Sequence, residues 1–370
     1  MIDNFDLKLE TLLHWVKNTD DEKKISNHTY ISPKIDVKDV RSSGRGIYAV
    51  EPLKKGELIL NIPHSFLLNF TTVMAHIVKY NGMAIDSHIH LLSLYLTFER
   101  KRSHKSFWKP FLDMLPSMDD FELMPIDWPQ EVCTLLPSST EVICELIKTK
   151  IDKDGDVTTL LPRQEVLLSW LCINSRCLYM DLPTSKNSAD NFTMAPYVDF
   201  MNHSCDDHCT LKIDGKGFQV RTTSQYNTGD QVYLSYGPHS NDFLLCEYGF
   251  VIPDNKWNDL DISQYIIPLL KPPHVEFLKS FDYYDNYTMT KEGISFRTEV
   301  ALATLQESDP QNSRKLLALI NGYTDGDVFK EHSNALLSVI LNKIIHEAEK
   351  HQHLQYDDDK RKKAIGTLRN

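Results

Sequence analysis

Three parts of the chain hold the side chains best suited to chemistry. They are Ser42-Ser43-Gly44-Arg45-Gly46, then Asp199-Phe200-Met201-Asn202-His203-Ser204, then Ser235-Tyr236-Gly237-Pro238 with Glu247-Tyr248-Gly249-Phe250. Glycines let a backbone approach a ligand closely and adopt positive φ. Asn202 offers an amide that both donates and accepts, and His203 an imidazole. Aromatic rings such as Tyr236, Tyr248 and Phe250 attract cations through their faces. Together these are the parts needed to hold an adenosyl sulfonium beside an aromatic-walled channel. Each also has a plainer reading. Gly44-Arg45-Gly46 alone is an ordinary β-turn; it lacks the third glycine and following helix of a dinucleotide fingerprint. A lone His203 is a structural hydrogen bond, and a tyrosine after a strand packs with its hydroxyl at the rim.

Two metal readings are weighed and set aside. His203, Cys205, His208 and Cys209 are dense, but a zinc site wants a second pair elsewhere and only Cys246 follows. Asp152-Lys153-Asp154-Gly155-Asp156 imitates a calcium loop, yet its sixth position is Val157 and its twelfth Arg163. No metal is expected.

The elements that must position these residues follow from periodicity. Leu7, Leu9, Leu12, Leu13 and Val16 predict a short N-terminal helix within a segment 1–28. From Ile35 to Asn61, short apolar runs punctuated by Gly44, Gly46 and Gly56 predict strands, closed by Pro63. Residues 71–180 predict mostly helix, as in Ile89 to Phe98 and Gln164 to Ile173, broken at Pro116, Pro125, Pro129 and Pro137. Strands return at Thr210 to Val220, with a hairpin at Gly215–Gly217, and at Val232 to Ser235. From about 258 the chain predicts mainly helix, with stripes at Val300 to Leu305, Arg314 to Ile320 and Asn334 to Ala348. The fold class is α+β.

Composition sets outer bounds. A chain of 370 residues with 41% hydrophobic and 25% charged residues is ordinary for a globular protein. No apolar run reaches the roughly 18 residues of a membrane span. The start lacks a signal-peptide pattern. Seven cysteines at irregular spacing predict reduced thiols, in cytoplasm or nucleus. The net charge of −11 disfavours direct nucleic-acid binding and favours a basic protein partner. Lys360-Arg361-Lys362-Lys363 follows three aspartates and reads as a solvated end. A monomer is expected.

In order and together, the three motifs resemble the SET-domain protein-lysine methyltransferases, and more narrowly the Rubisco large-subunit methyltransferase type with its small fungal and animal relatives. The resemblance covers about 30–255. It implies a SET-domain β-fold with a knot-like crossing at 29–255, a helical insertion at about 71–180 and a helical C-terminal lobe at 256–370 that helps hold the protein substrate. It implies S-adenosyl-L-methionine as cofactor, contacted by Ser43, Gly44, Arg45, Gly46, Asp199, Asn202, His203, Tyr236 and Tyr248. Tyr236 stands beside the transferring methyl as the catalytic residue, and Tyr248 and Phe250 line the lysine channel. Arg176, in Asn174-Ser175-Arg176-Cys177, matches an arginine that orients cofactor or substrate; otherwise it is a surface ion pair. The implied activity is protein-lysine N-methylation of the translation machinery, a ribosomal protein or elongation factor, with histones second. Two rivals stay open: protein-histidine methylation, and a catalytically silent module that binds a partner.

Overall fold

Short runs rich in Ile, Val, Leu and Tyr, bounded by Gly and Pro, fold as strands wherever they can pair and bury one face. A computed structural model of the chain describes residues 4–17, 29–40, 44–77, 88–129, 133, 136, 161–179, 191–214 and 217–351. The chain divides into two compact units, Met1–Glu122 with Lys148–Pro238, and Leu123–Ile147 with His239–Asn370.

The first unit carries strands β1 (Tyr30–Ile31), β2 (Ile35–Val40), β3 (Gly44–Ala49), β4 (Leu58–Ile62), β5 (Leu68–Asn69), β6 (Leu178–Tyr179), β7 (Phe192–Met194), β8 (Thr210–Asp214), β9 (Gly217–Arg221) and β10 (Gln231–Val232). They form three small sheets, in the orders β1-β4-β9-β8, β10-β3-β2 and β5-β7-β6. β4 runs between β1 and β9 and buries four of its five residues, Ile59 to Ile62; Pro63 ends it, since proline has no donor for the ladder. β8 and β9 form the expected hairpin. Ile47, Ala49, Val220, Val232 and Leu234 are among the fully buried side chains.

Helices lie between these strand groups. His88–Arg102 packs on Arg163–Arg176, with the Thr97 hydroxyl donating to Ser169 Oγ at 2.8 Å in the buried seam. The N-terminal helix Asn4–Lys17 buries Leu12 and Val16.

One strand differs from its sequence pattern. The apolar run suggests Val232 to Ser235, but β10 ends at Val232. Its continuation leaves β3 and spends its hydrogen bonds on residues 202–209: Leu234 N–H donates to the Asn202 carbonyl at 2.9 Å, and Leu234 C=O accepts from Ser204 N–H at 2.9 Å. The resulting bridges, His203 to Leu234 and Cys209 to Leu234, are parallel.

In the second unit, Phe296–Thr304, Arg314–Ile320 and Asp327–His351 are helical. Ser295 and Ser313 cap the first two, accepting from Thr298 N–H and Leu316 N–H. The helices share a core that includes Phe277, Leu278, Tyr287, Leu302 and Leu316. The unit also holds a sheet the sequence does not announce, β11 (Leu260–Asp261), β12 (Thr288–Thr290) and β13 (Gly293–Ile294). Strands of two or three residues are too short to show a period.

Candidate functional site

The site grows from β3. Gly44 sits at φ +69, and a Cβ there would meet nothing within 4 Å, so glycine serves the backbone angle alone. Gly46 is glycine for another reason. A Cβ on it would run into Gln231 Nε2 and stand 3.0 Å from Asn202 Nδ2. Two amide side chains occupy the space over Gly46. Ser43 lies outside the described residues.

Gln231 is a site residue that motif reading passes over. It pairs with Tyr48 across β10 and β3, so strand alternation puts it and Tyr233 on the face of Gly46 and Tyr48. Its Oε1 accepts from the Tyr233 hydroxyl at 2.9 Å and the Tyr48 hydroxyl at 3.3 Å, while Nε2 is buried without a partner. An amide standing opposite a glycine-bearing strand was the available signal.

Asn202 and His203 reach the same place from the far side of the chain. Asn202 Nδ2 donates to the Arg45 carbonyl at 3.0 Å, across 157 residues. His203 Nδ1 accepts from Tyr236 N–H at 3.0 Å, and its ring stacks on the Tyr236 ring, centroids 5.1 Å apart and 28° from parallel. The Tyr236 hydroxyl donates to the Met201 carbonyl at 2.8 Å. The parallel pairing of 202–204 with 234 makes these contacts possible, because it runs the two segments side by side in one direction. Arg45, Gly46, Asn202, His203 and Tyr236 thus form one assembly.

Asp199 lies behind it. Residues Val198–Phe200 make one 3-10 turn, entered by buried Tyr197 at φ +71, a strained angle for a non-glycine residue. Three residues apart, Asp199 and Asn202 would share a face on a continuing helical turn, but the turn ends at Phe200 and Met201 is extended. Asp199 instead faces Arg176: its side chain is 1% exposed, with Oδ2 3.5 Å from Arg176 Nη1, and its carbonyl accepts from the same nitrogen at 2.7 Å. Burial pushes the Asp199 carboxyl above its usual range, while the Arg176 and Arg45 guanidiniums pull the other way. Burial, then Arg176, lowers the Arg45 guanidinium. Arg45 donates to the Met114 carbonyl and lies 5.9 Å over the Phe200 ring. Asp199 Oδ1 and Arg176 Nε are buried without a partner, which marks polar capacity the chain leaves unused.

Cys205 Sγ lies 3.8 Å from His203 Nε2, and Cys209 Sγ is buried 3.9 Å from the Tyr226 hydroxyl. Burial pushes the Cys209 thiol up to about 12. Among the described residues, no group of three or more His, Cys, Asp or Glu could hold a metal ion. The calcium-like stretch at 152–156 lies outside the described residues.

Tyr248 and Phe250 belong to the second unit. The helix Asn241–Tyr248 starts at a Ser240 cap and stops at Gly249, whose φ of +79 only glycine adopts freely. Buried Asn241 holds the returning loop, donating to the Ile252 carbonyl at 2.9 Å and accepting from Ile252 N–H at 3.0 Å. The rings of His239 and Phe243 stack at 4.3 Å, and those of Tyr248 and Phe250 meet at 6.1 Å. The notable product of this unit is a half-buried aromatic row.

Residues 44–237 match the SET domain, and 258–370 match the ribosomal lysine N-methyltransferase 2 C-terminal domain. Ribosomal lysine N-methyltransferase 2 of Saccharomyces cerevisiae is 30% identical, over 90% of this chain and 89% of its own. Ribosomal lysine N-methyltransferase set11 of Schizosaccharomyces pombe is 26% identical, over 92% and 88%. Among solved structures, the SET domain of LSMT bound to lysine and AdoHcy superposes with a TM-score of 0.66 at 16% identity, covering 99% of this chain and 88% of that one.

Proposed function

Because the chain belongs to the SET-domain family and carries the C-terminal domain of ribosomal lysine N-methyltransferase 2, we propose that it is an S-adenosyl-L-methionine-dependent protein-lysine N-methyltransferase acting on a ribosomal protein. The observation that carries this reading is the crossing that seats His203 against Tyr236 and Asn202 against the Arg45 carbonyl.

The residues fit the cofactor chemically. An amide, an imidazole and a half-buried guanidinium with a buried, unpartnered Nε–H suit a nucleoside that bears an amino acid. In this proposal the Arg45 and Gly46 backbone, Asn202 and His203 hold the cofactor, and Arg176 orients its charged end or the substrate. When bound, the cofactor supplies a methyl group on a sulfonium. The remaining work is orientation and the exclusion of water from a neutral amine. Tyr236 suits it: its ring is held against His203 and its hydroxyl is anchored on the Met201 carbonyl, which fixes where the oxygen stands. Phe250 and Tyr248 supply an aromatic wall for a cationic, partly methylated side chain.

The substrate follows from the relatives, both named for ribosomal lysine methylation; lysine is favoured over histidine on that ground. A basic ribosomal protein also complements a chain of net charge −11. We assign substrate docking to the lobe at 256–370, and the work to cytoplasm or nucleus, with the protein acting as a monomer. The test is incubation of the purified protein with labelled S-adenosyl-L-methionine and ribosomes from cells lacking it, followed by site mapping by mass spectrometry. Label on a lysine of one ribosomal protein supports the proposal; absence of ribosomal label, or label on histidine, refutes it.

A further inference from the structure

The space over Gly46 is filled by the chain itself, by the amide of Gln231. That amide is not free to swing away. Its oxygen takes two tyrosine hydroxyls, Tyr233 at 2.9 Å and Tyr48 at 3.3 Å, and its nitrogen is buried. Beside the same space stands Asn202, whose nitrogen is 3.0 Å from the place where a Gly46 Cβ would sit and which donates to the carbonyl of Arg45. One side chain therefore meets the glycine turn, shares the space over it with the Asn202 amide, and holds two hydroxyls, Tyr48 on β3 and Tyr233 just past β10. A buried amide nitrogen with no acceptor costs stability, on the order of 1–3 kcal/mol. Its presence here, against a glycine, calls for a reason other than stability.

We propose that Gln231 is a positioning residue of the cofactor site: tethered by Tyr48 and Tyr233, it sets how far the Gly46 backbone and the Asn202 amide stand apart. It acts through those two residues and does not itself move a group. The inference rests on the reading of Gly46 and Asn202 as cofactor contacts, and it adds a residue and a physical cause for the glycine at 46. It also separates the two glycines of the motif. Gly44 is required for its angle, Gly46 for the neighbour across the sheet.

The test is a cycle of Gln231→Ala, Gly46→Ala and the double variant, with calorimetry against S-adenosyl-L-methionine, thermal melting without ligand, and steady-state rates. Gln231→Ala should raise the cofactor Kd about tenfold, the effect of losing roughly one ordering interaction. It should leave kcat at saturating cofactor and the KM for the protein substrate near wild type. A purely structural role would lower the melting temperature without moving Kd, and that outcome overturns the proposal. Gly46→Ala must displace the amide, so it should lower the melting temperature and weaken cofactor binding. Adding Gln231→Ala opens the space and should restore the melting temperature toward that of Gln231→Ala alone. Failure of that rescue overturns the proposal. If wild type binds no S-adenosyl-L-methionine, the proposed activity fails, and the melting-temperature rescue in the ligand-free protein still decides whether Gln231 sets the Gly46 turn.

Discussion

Tyr236→Phe removes one oxygen from a ring that three contacts hold in place. The backbone N–H of Tyr236 donates to His203 Nδ1, and the ring stacks on His203; both survive the change. The bond from the hydroxyl to the Met201 carbonyl at 2.8 Å is lost. A net hydrogen bond contributes about 0.5–1.5 kcal/mol, so the fold should lose no more than that. The Asn202 bond to Arg45 does not involve Tyr236, so cofactor affinity should change little. The rate is a different matter. If the hydroxyl oxygen faces charge that shifts during transfer, its loss resembles deletion of one preorganised dipole, about 10²–10³-fold in kcat. An interaction made mainly in the transition state lowers kcat and leaves binding alone. The assay compares methyl incorporation into a mapped ribosomal substrate at saturating cofactor, with calorimetric affinity and melting measured on the same preparations. Turnover within a few-fold of wild type would remove the hydroxyl from the mechanism. A collapse of cofactor affinity or of melting temperature would make its role structural.

Other perturbations have equally definite outcomes. Asn202→Ala frees the Arg45 carbonyl and should cost about 1–3 kcal/mol of S-adenosyl-L-methionine affinity, read by calorimetry; unchanged affinity in a folded variant would count against Asn202 as an anchor. Asp199 has a folded pKa above the unfolded value, so the folded protein keeps its proton to higher pH. Its contribution to stability is therefore greatest below the unfolded value, near 4, and falls as pH rises through the raised folded value. Melting of wild type and Asp199→Asn at several pH values above 4 should show wild type losing ground to the variant as pH rises; the reverse slope would mean the two arginines outweigh burial. Prolonged chelation should leave the melting temperature unchanged, and stoichiometric zinc by elemental analysis would contradict the reading of Cys205 and Cys209 as plain thiols.

Much of the assembly was legible because its parts carry local signals. Glycine punctuation and apolar runs marked β2, β3 and β4, and the Gly215–Gly217 signal marked the β8–β9 hairpin. Apolar stripes marked the helices from Phe296 onward. Asn202, His203 and Tyr236 stood out as a set, and the chain does bring them together. What escaped is what depends on partners far along the chain. Nothing local says that 233–235 leave β3 for 202–209, since both pairings suit the same apolar residues. Gln231 escaped for the same reason, its meaning lying in a glycine 185 residues earlier in numbering. The role of Asp199 also depended on burial, which set it against Arg176 and apart from Asn202. The sheet of β11, β12 and β13 escaped because its strands are too short to alternate.

The pairing of Tyr48 with Gln231 joins positions 183 residues apart, and the helices His88–Arg102 and Arg163–Arg176 lie within the loop it closes. Closing a chain of that length is governed by a logarithm: each doubling of the loop adds only about 0.6 kcal/mol. Insertions and deletions between β5 and β7 therefore weigh little on the closure that assembles the site, while Gly46 at its mouth has no free room for a Cβ. The architecture is a clasp with a long, adjustable strap. The same geometry makes assembly slow and indivisible, because contacts of high sequence separation form only after most of the chain has been ordered. A fragment ending before Gln231 lacks β10 and the segment that seats His203 against Tyr236, so during synthesis the assembly waits for nearly the whole first unit to emerge.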